Sequence, residues 1–334
     1  MKILVYNIAA SSGGALSILH EYYEKAKRDT TNEWHFLIST PELSHQPNIH
    51  VHRFPAVKKS WIHRLIFDYF KAQSIIKEIN PDKILSLQNI IVPRIKNFDQ
   101  EVYVHQSLPF YEIKFSLIQN PKFWVYQNII SRLMFKSIRK SIKTIVQTEW
   151  MKNAVLDKVN VSKDKIVVDP PEVNIQVKEY FNPKPENYRT FFYPAGASFY
   201  KNHRVIVSAC EQLKKEKNDD FSVYFTLNGN ETKHIKAIKN RITEQNLPIY
   251  FIGQLSREDV YNFYSRAVLI FPSYIETFGL PLLEAKKHKT PIIASDMPYS
   301  KEILDDYEDT YFFQYEDSSH LANLMETNIN SEFK

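Results

Sequence analysis

Two glutamates, Glu276 and Glu284, stand eight positions apart in the run Pro272-Ser-Tyr-Ile-Glu276-Thr-Phe-Gly279-Leu-Pro281-Leu-Leu-Glu284. The apolar run 267–271 ahead of them reads as a strand. Pro281 suits the first residue of a helix, where a missing N–H costs nothing. Glu276 then lies in a strand–helix loop and Glu284 in the first two turns of the helix. The backbone N–H groups of Thr277, Phe278, Gly279 and Leu280 have no intrahelical acceptor and can meet an anion. A carboxylate in such a loop can accept hydrogen bonds from hydroxyls. A helix-capping acid and a surface glutamate would be the ordinary reading, and the accompanying Gly279 and Pro281 weigh against it.

A second stretch is Tyr193-Pro-Ala-Gly196-Ala-Ser-Phe-Tyr-Lys201-Asn202-His203. A lysine just ahead of a helix can act as a point charge on a phosphate; an exposed loop lysine is the bland alternative. A third is Ser11-Ser-Gly13-Gly14, after the first strand-like run. Its glycines let backbone approach a ligand at a helix N-terminus. It has neither the spacing of a dinucleotide fingerprint nor a phosphate-loop lysine, so a plain strand-to-helix turn fits it equally.

These residues need a frame to position them. Strand-like runs at 2–8, 34–39, 49–53, 83–87, 101–105, 144–147, 166–168, 189–194, 221–227, 248–252, 267–271, 291–294 and 310–313 alternate with amphipathic stretches. That alternation predicts parallel sheets covered by helices. Residues 169–186, with Pro170, Pro171, Pro183 and Pro185, break the rhythm. The expected organisation is an N-terminal Rossmann-like domain over 1–170, a linker over 171–188, and a second Rossmann-like domain over 189–334. Two such α/β domains would face each other across a cleft, with ligands at the carboxyl ends of the strands.

Composition narrows the class. The chain has 334 residues, 43% hydrophobic and 24% charged, which excludes disordered, collagen-like and disulfide-stapled classes. The single Cys210 cannot form an internal disulfide, which fits a cytoplasmic setting. Only 6 glycines occur, against roughly 23 at average usage, so each is expected where backbone freedom is needed. No run is long enough for a spanning helix, and the opening strand does not read as a signal peptide. Residues 1–180 hold 25 Lys and Arg against 17 Asp and Glu; residues 181–334 hold 18 against 21. Two basic segments, 58–71 and 122–143, interleave cations with aromatics. That pattern suits an anionic membrane surface, or a solvated helix face with its aromatics inside. Nucleic acid is not expected, since no binding motif accompanies the charge.

The Glu276–Glu284 block resembles the signature of glycosyltransferase family 4, the retaining, nucleotide-sugar-dependent enzymes of the GT-B fold. Gly13-Gly14, the Lys201 loop, Pro291-Ile-Ile-Ala-Ser-Asp296 and Thr148-Glu-Trp-Met extend the resemblance over most of the chain. It implies that Glu276 binds donor-sugar hydroxyls, and that Thr277, Phe278, Gly279 and Leu280 hold sugar and phosphate. It implies that Glu284 binds ribose, Lys201 neutralises the diphosphate, and Gly14 with Gly13 lets it approach the first domain. Val104-His105-Gln106 stands where many members place an active-site His, so His105 is a catalytic candidate with Lys201 and Glu276. Gly253 and Asn228-Gly229 fall where a base could sit. One departure is Gly196, where many members carry a second phosphate-binding Arg; Arg204 is a substitute.

The implied reaction is retaining and independent of metal and cofactor, with a UDP- or GDP-sugar as donor and a saccharide or lipid-linked acceptor. Its setting would be bacterial surface polysaccharide synthesis (O-antigen or capsule), in the cytoplasm or peripheral to the inner face of the membrane. No Asp-x-Asp occurs to hold a divalent ion. An epimerase or phosphorylase on the same fold, or a non-catalytic sugar-nucleotide binder, remain alternatives. An oxidoreductase lacks its dinucleotide fingerprint.

Overall fold

The computed structural model describes residues 1–330 apart from Ser12, Gln119, Asn174 and Asp219. Ser12 of the glycine loop and Asn174 of the expected linker thus lie outside the described residues. The chain divides into two units, Met1–Val173 and Asn174–Lys334.

The first unit is a seven-stranded parallel sheet in the order β3-β2-β1-β4-β5-β6-β7. Its strands are β1 (Lys2–Asn7), β2 (Glu33–Ile38), β3 (Ile49–Arg53), β4 (Lys83–Ser86), β5 (Gln100–Val104), β6 (Lys143–Val146) and β7 (Ile166–Val168). One core packs the helix Gly13–Arg28 on one face of β1 and β2 through Ile18, Leu19, Tyr22 and Tyr23. A second, on the other face, joins Leu4, Tyr6 and Leu37 to Phe67, Ile76 and Ile79. Central strands buried on both faces read as unbroken apolar runs, which is why they were legible.

The second unit is a six-stranded parallel sheet in the order β10-β9-β8-β11-β12-β13. It comprises β8 (Thr190–Tyr193), β9 (Ser222–Phe225), β10 (Ile249–Phe251), β11 (Val268–Phe271), β12 (Ile292–Ser295) and β13 (Thr310–Phe313). In both sheets the strand order reverses beside the first strand of the unit, at β1/β4 and at β8/β11. Such switch points are where open α/β sheets receive ligands.

The linker expected over 171–188 holds a helical turn, Pro185–Tyr188. Phe181 N–H donates to the His288 carbonyl and Asn182 N–H to that of Ser265. These contacts tie the proline-rich stretch to the second unit; proline had masked them by removing periodicity. The helices Glu149–Lys158 and Pro298–Leu304 follow closely on β6 and β12. Thr148 caps the former, its hydroxyl accepting from Met151 N–H.

The two basic segments also differ. In the first, Trp61–Ile66 runs through a π-helical turn, Phe67–Lys71, into Ala72–Ile79. Trp61, Ile62, Leu65, Ile66 and Phe70 are 77%, 68%, 52%, 55% and 62% exposed. In the second, Phe123, Trp124 and Tyr126 are half-buried. Ile129 and Leu133 are exposed there. No helix among the described residues is long and apolar enough to cross a membrane.

Candidate functional site

At the β8/β11 switch point two loops meet. After β8 the chain runs through Gly196 into a 3-10 turn, Phe199–Lys201, then Asn202 in the left-handed region, then the helix His203–Lys215. Asparagine tolerates that conformation, and its side-chain amide donates to the Tyr315 carbonyl at 2.7 Å. The Tyr193 hydroxyl donates to the Lys201 carbonyl at 2.7 Å. Tyr274 N–H, on the loop after β11, donates to the Tyr200 carbonyl at 3.1 Å. The loops are therefore stitched to each other before any side chain acts.

These bonds bring Lys201 Nζ onto Glu276 Oε1 in an ion pair. Both side chains are largely withdrawn from water, 20% and 17% exposed. The Ser273 hydroxyl donates to the same Glu276 oxygen at 2.7 Å. Burial works against the Lys201 charge, but Glu276 and then Tyr200 outweigh it, and its pKa rises. The ammonium is fixed in place and stays charged. Next to it, His203 is pulled down to about 3 by burial and then by Lys201. It remains neutral and adds no competing charge.

Glu276 leads into the helix Leu280–Lys287. Gly279, at φ +85, is its N-terminal cap. Leu280 is therefore the first helical residue and Pro281 the second, one later than expected, because Gly279 makes the turn the proline was expected to start. The N–H groups of Phe278, Gly279 and Leu280 donate to no group among the described residues. They form the open N-terminus that an anion can occupy.

Glu284, on the same helix, has a side chain only 12% exposed. The Tyr264 hydroxyl donates to Oε2 at 3.2 Å and Arg257 Nη2 to Oε1 at 3.4 Å. Burial raises its pKa, opposed by Arg257 and Tyr264. Neither partner was found from sequence: they lie 27 and 20 residues upstream, a separation that carries no local signal. Arg204, the candidate for the missing arginine, is exposed near the start of His203–Lys215.

The loop after β9 is held by its own glutamate. The Glu231 carboxylate accepts the backbone N–H groups of Asn228, Gly229 and Asn230 at 2.5, 3.1 and 3.1 Å. These bonds occupy the backbone donors of Asn228, Gly229 and Asn230. Gly253, after β10, has its N–H on the Leu227 carbonyl at 2.9 Å. The position where its Cβ would stand is 3.1 Å from Asn228 Oδ1, so a side chain there would crowd the loop.

In the first unit Gly13, at φ +61, opens the helix Gly13–Arg28 with Gly14 beside it, and among the described residues no atom beyond the adjoining backbone lies within 4 Å of either missing Cβ. Lys58, noted only as part of a basic run, reaches this loop. Its ammonium donates to the Ala9 carbonyl at 2.6 Å and to Ser11 Oγ at 3.2 Å. His105 ends β5. Its N–H donates to Asn89 Oδ1 at 2.8 Å, and its Nε2 lies 3.2 Å from both the Asn89 amide nitrogen and the Leu87 carbonyl. Burial pulls its pKa down to about 4, so it is a neutral imidazole held by asparagine.

Among solved structures, sucrose-phosphate synthase from Thermosynechococcus elongatus matches at TM-score 0.74 and 17% identity, covering 98% of this chain and 90% of that one. Anabaena Alr3699/HepE in complex with UDP-glucose matches at 0.72 and 15%, covering 99% and 90%. The fold is GT-B. Within this GT-B chain, residues 175–334 match the family model described as glycosyl transferases group 1. That span contains Lys201, Glu276 and Glu284. The O-antigen chain mannosyltransferase RfbU of Salmonella typhimurium is 27% identical over 247 residues, 72% of this chain. The match spans 63% of that relative's length.

Proposed function

We propose that this chain is a retaining, metal-independent glycosyltransferase that moves a sugar from a nucleoside diphosphate to a saccharide or lipid-linked acceptor in bacterial surface polysaccharide synthesis. The observation that carries the reading is the Lys201–Glu276 pair at the β8/β11 switch point, beside an open helix N-terminus. The second unit binds donor and the first binds acceptor.

In the free chain the two charges satisfy each other, which avoids an unpaired buried ion. A donor replaces both halves at once: its diphosphate takes Lys201 and the N–H groups of Phe278, Gly279 and Leu280, and its sugar hydroxyls take Glu276. Glu284, held by Tyr264 and Arg257, accepts from the ribose hydroxyls. Breaking the glycosidic bond gathers negative charge on the leaving phosphate. A fixed ammonium and a helix N-terminus stabilise that charge where it forms. Attack comes from the face the phosphate leaves, and the phosphate takes the acceptor's proton. The glutamates are ligands here, not a glycosidase acid and nucleophile.

The relative named a mannosyltransferase and the neighbour seen with UDP-glucose set the first donors to try. Thermal unfolding would be followed with UDP- and GDP-linked mannose and glucose, dTDP- and CMP-sugars, and NAD(P)H as control, without added metal. Stabilisation by one sugar nucleotide, lost in Glu276→Ala and Glu284→Ala, supports the reading. Stabilisation by NAD(P)H alone, or by nothing in the panel, rejects it.

A further inference from the structure

β3 is the edge strand of the first sheet and pairs in parallel with β2, His35 level with His50. Side chains two apart on a strand share a face. Glu33 and His35 therefore line one face of β2, and His50 and His52 share a face of β3 alongside. The opposite face of β2 carries Trp34 and Phe36, which are core. His35 Nε2 lies 2.8 Å from Glu33 Oε1, and His50 Nε2 lies 3.3 Å from the same oxygen. On its other nitrogen, His35 Nδ1 is 3.1 Å from His52 Nε2. The His35 ring stacks with those of His50 and His52, at centroid distances of 4.7 and 5.4 Å.

We propose that Glu33, His35 and His50 form a binding site for a divalent transition cation, with zinc as its reference ion. Imidazole nitrogen and carboxylate oxygen are zinc's ligands, at about 2.0–2.2 Å. Tetrahedral bonds of that length set neighbouring ligand atoms about 3.3 Å apart, close to the two contacts already made to the Glu33 oxygen. The ion takes the place of the shared proton between Glu33 and His35. His52, on the far nitrogen, fixes the tautomer and direction of His35, as a partner behind a metal-bound imidazole does. Lys2 faces Glu33 and His35, and His45 and Glu78 face His52. A bound cation would tie the edge strand β3 to β2. This inference is independent of the donor reading.

Zinc would be titrated calorimetrically into the full chain, chelator-treated and free of any affinity tag, at pH 7.5, with thermal unfolding followed in parallel. One zinc per chain is expected, with an unfolding midpoint that rises with free zinc. Affinity should fall at least about tenfold in His50→Ala and in Glu33→Gln, the low end of what even a supporting partner contributes. Those side chains are 43% and 44% exposed, so neither change empties a core. Failure to bind zinc, or equal affinity in wild type and both variants, overturns the proposal. Donor-induced stabilisation should be the same in His50→Ala as in wild type, so this site and the donor site are judged separately.

Discussion

Lys201 and Glu276 hold each other in the free chain, and their fates under substitution should differ from those of ordinary surface charges. Glu276→Ala removes charge-assisted hydrogen bonds worth about 1.5–3 kcal/mol. Transfer, read as kcat/KM for the donor, should fall by about one to two orders of magnitude; an unchanged rate removes Glu276 from the site. Glu284 makes a different prediction because its pKa is raised by burial. A raised carboxyl pKa means the folded chain holds the proton more tightly than the unfolded one. Its contribution to stability is then full below the ordinary value of 4.5 and is lost as pH rises through the raised value. Glu284→Gln should leave the unfolding midpoint at neutral pH equal or higher, while donor affinity drops about tenfold or more. Calorimetry with donor and a thermal scan without it check both halves. A lower midpoint with unchanged affinity would assign Glu284 to structure alone. The glutamate pair was legible because eight-residue spacing with glycine and proline between is a local pattern. Arg257 and Tyr264 were not, because only folding brings them to Glu284.

At the level of elements, the site depends on how one helix begins. Gly279 sits at φ +85, and a Cβ there would stand 3.2 Å from the Tyr299 ring. An L-residue in that conformation costs about 1–2 kcal/mol before the ring contact. Gly279→Ala should lower the unfolding midpoint by roughly 2–8 °C in a unit of this size and weaken donor binding together with it, because the N–H groups it orients would turn. Equal donor affinity at reduced stability would separate the cap from the site. The central strands were readable as apolar runs, whereas the edge strand β3 alternates Ile49 and Val51 with His50 and His52. The short helices Glu149–Lys158 and Pro298–Leu304 carry a weaker signal, since each follows closely on a strand without a long amphipathic pattern of its own.

For the molecule as a whole, the first 180 residues carry the basic excess, and folding sorts its two basic segments by what they expose. On the first, Trp61, Ile62, Leu65, Ile66 and Phe70 point outward beside the exposed Lys59 and Lys71. Apolar side chains flanked by cations suit an anionic lipid surface. Vesicle co-sedimentation should show binding to anionic vesicles at low salt, weaker at high salt, and reduced about tenfold in a Trp61→Ser/Phe70→Ser variant. No binding at low salt would count heavily against a membrane-bound acceptor. Sequence alone gave the class of fold, the strand positions and the two loop motifs around Lys201 and Glu276, because local periodicity and turn chemistry carry that information. Only the tertiary structure decided what each motif meets. It paired Lys201 with Glu276 across 75 residues and gave Glu284 its two partners. It closed the Asn228 loop on Glu231 and gathered Glu33, His35, His50 and His52 on adjoining strands. The reason is physical: a parallel sheet makes neighbours of residues whose separation along the chain is set by intervening helices, and no local pattern encodes that distance.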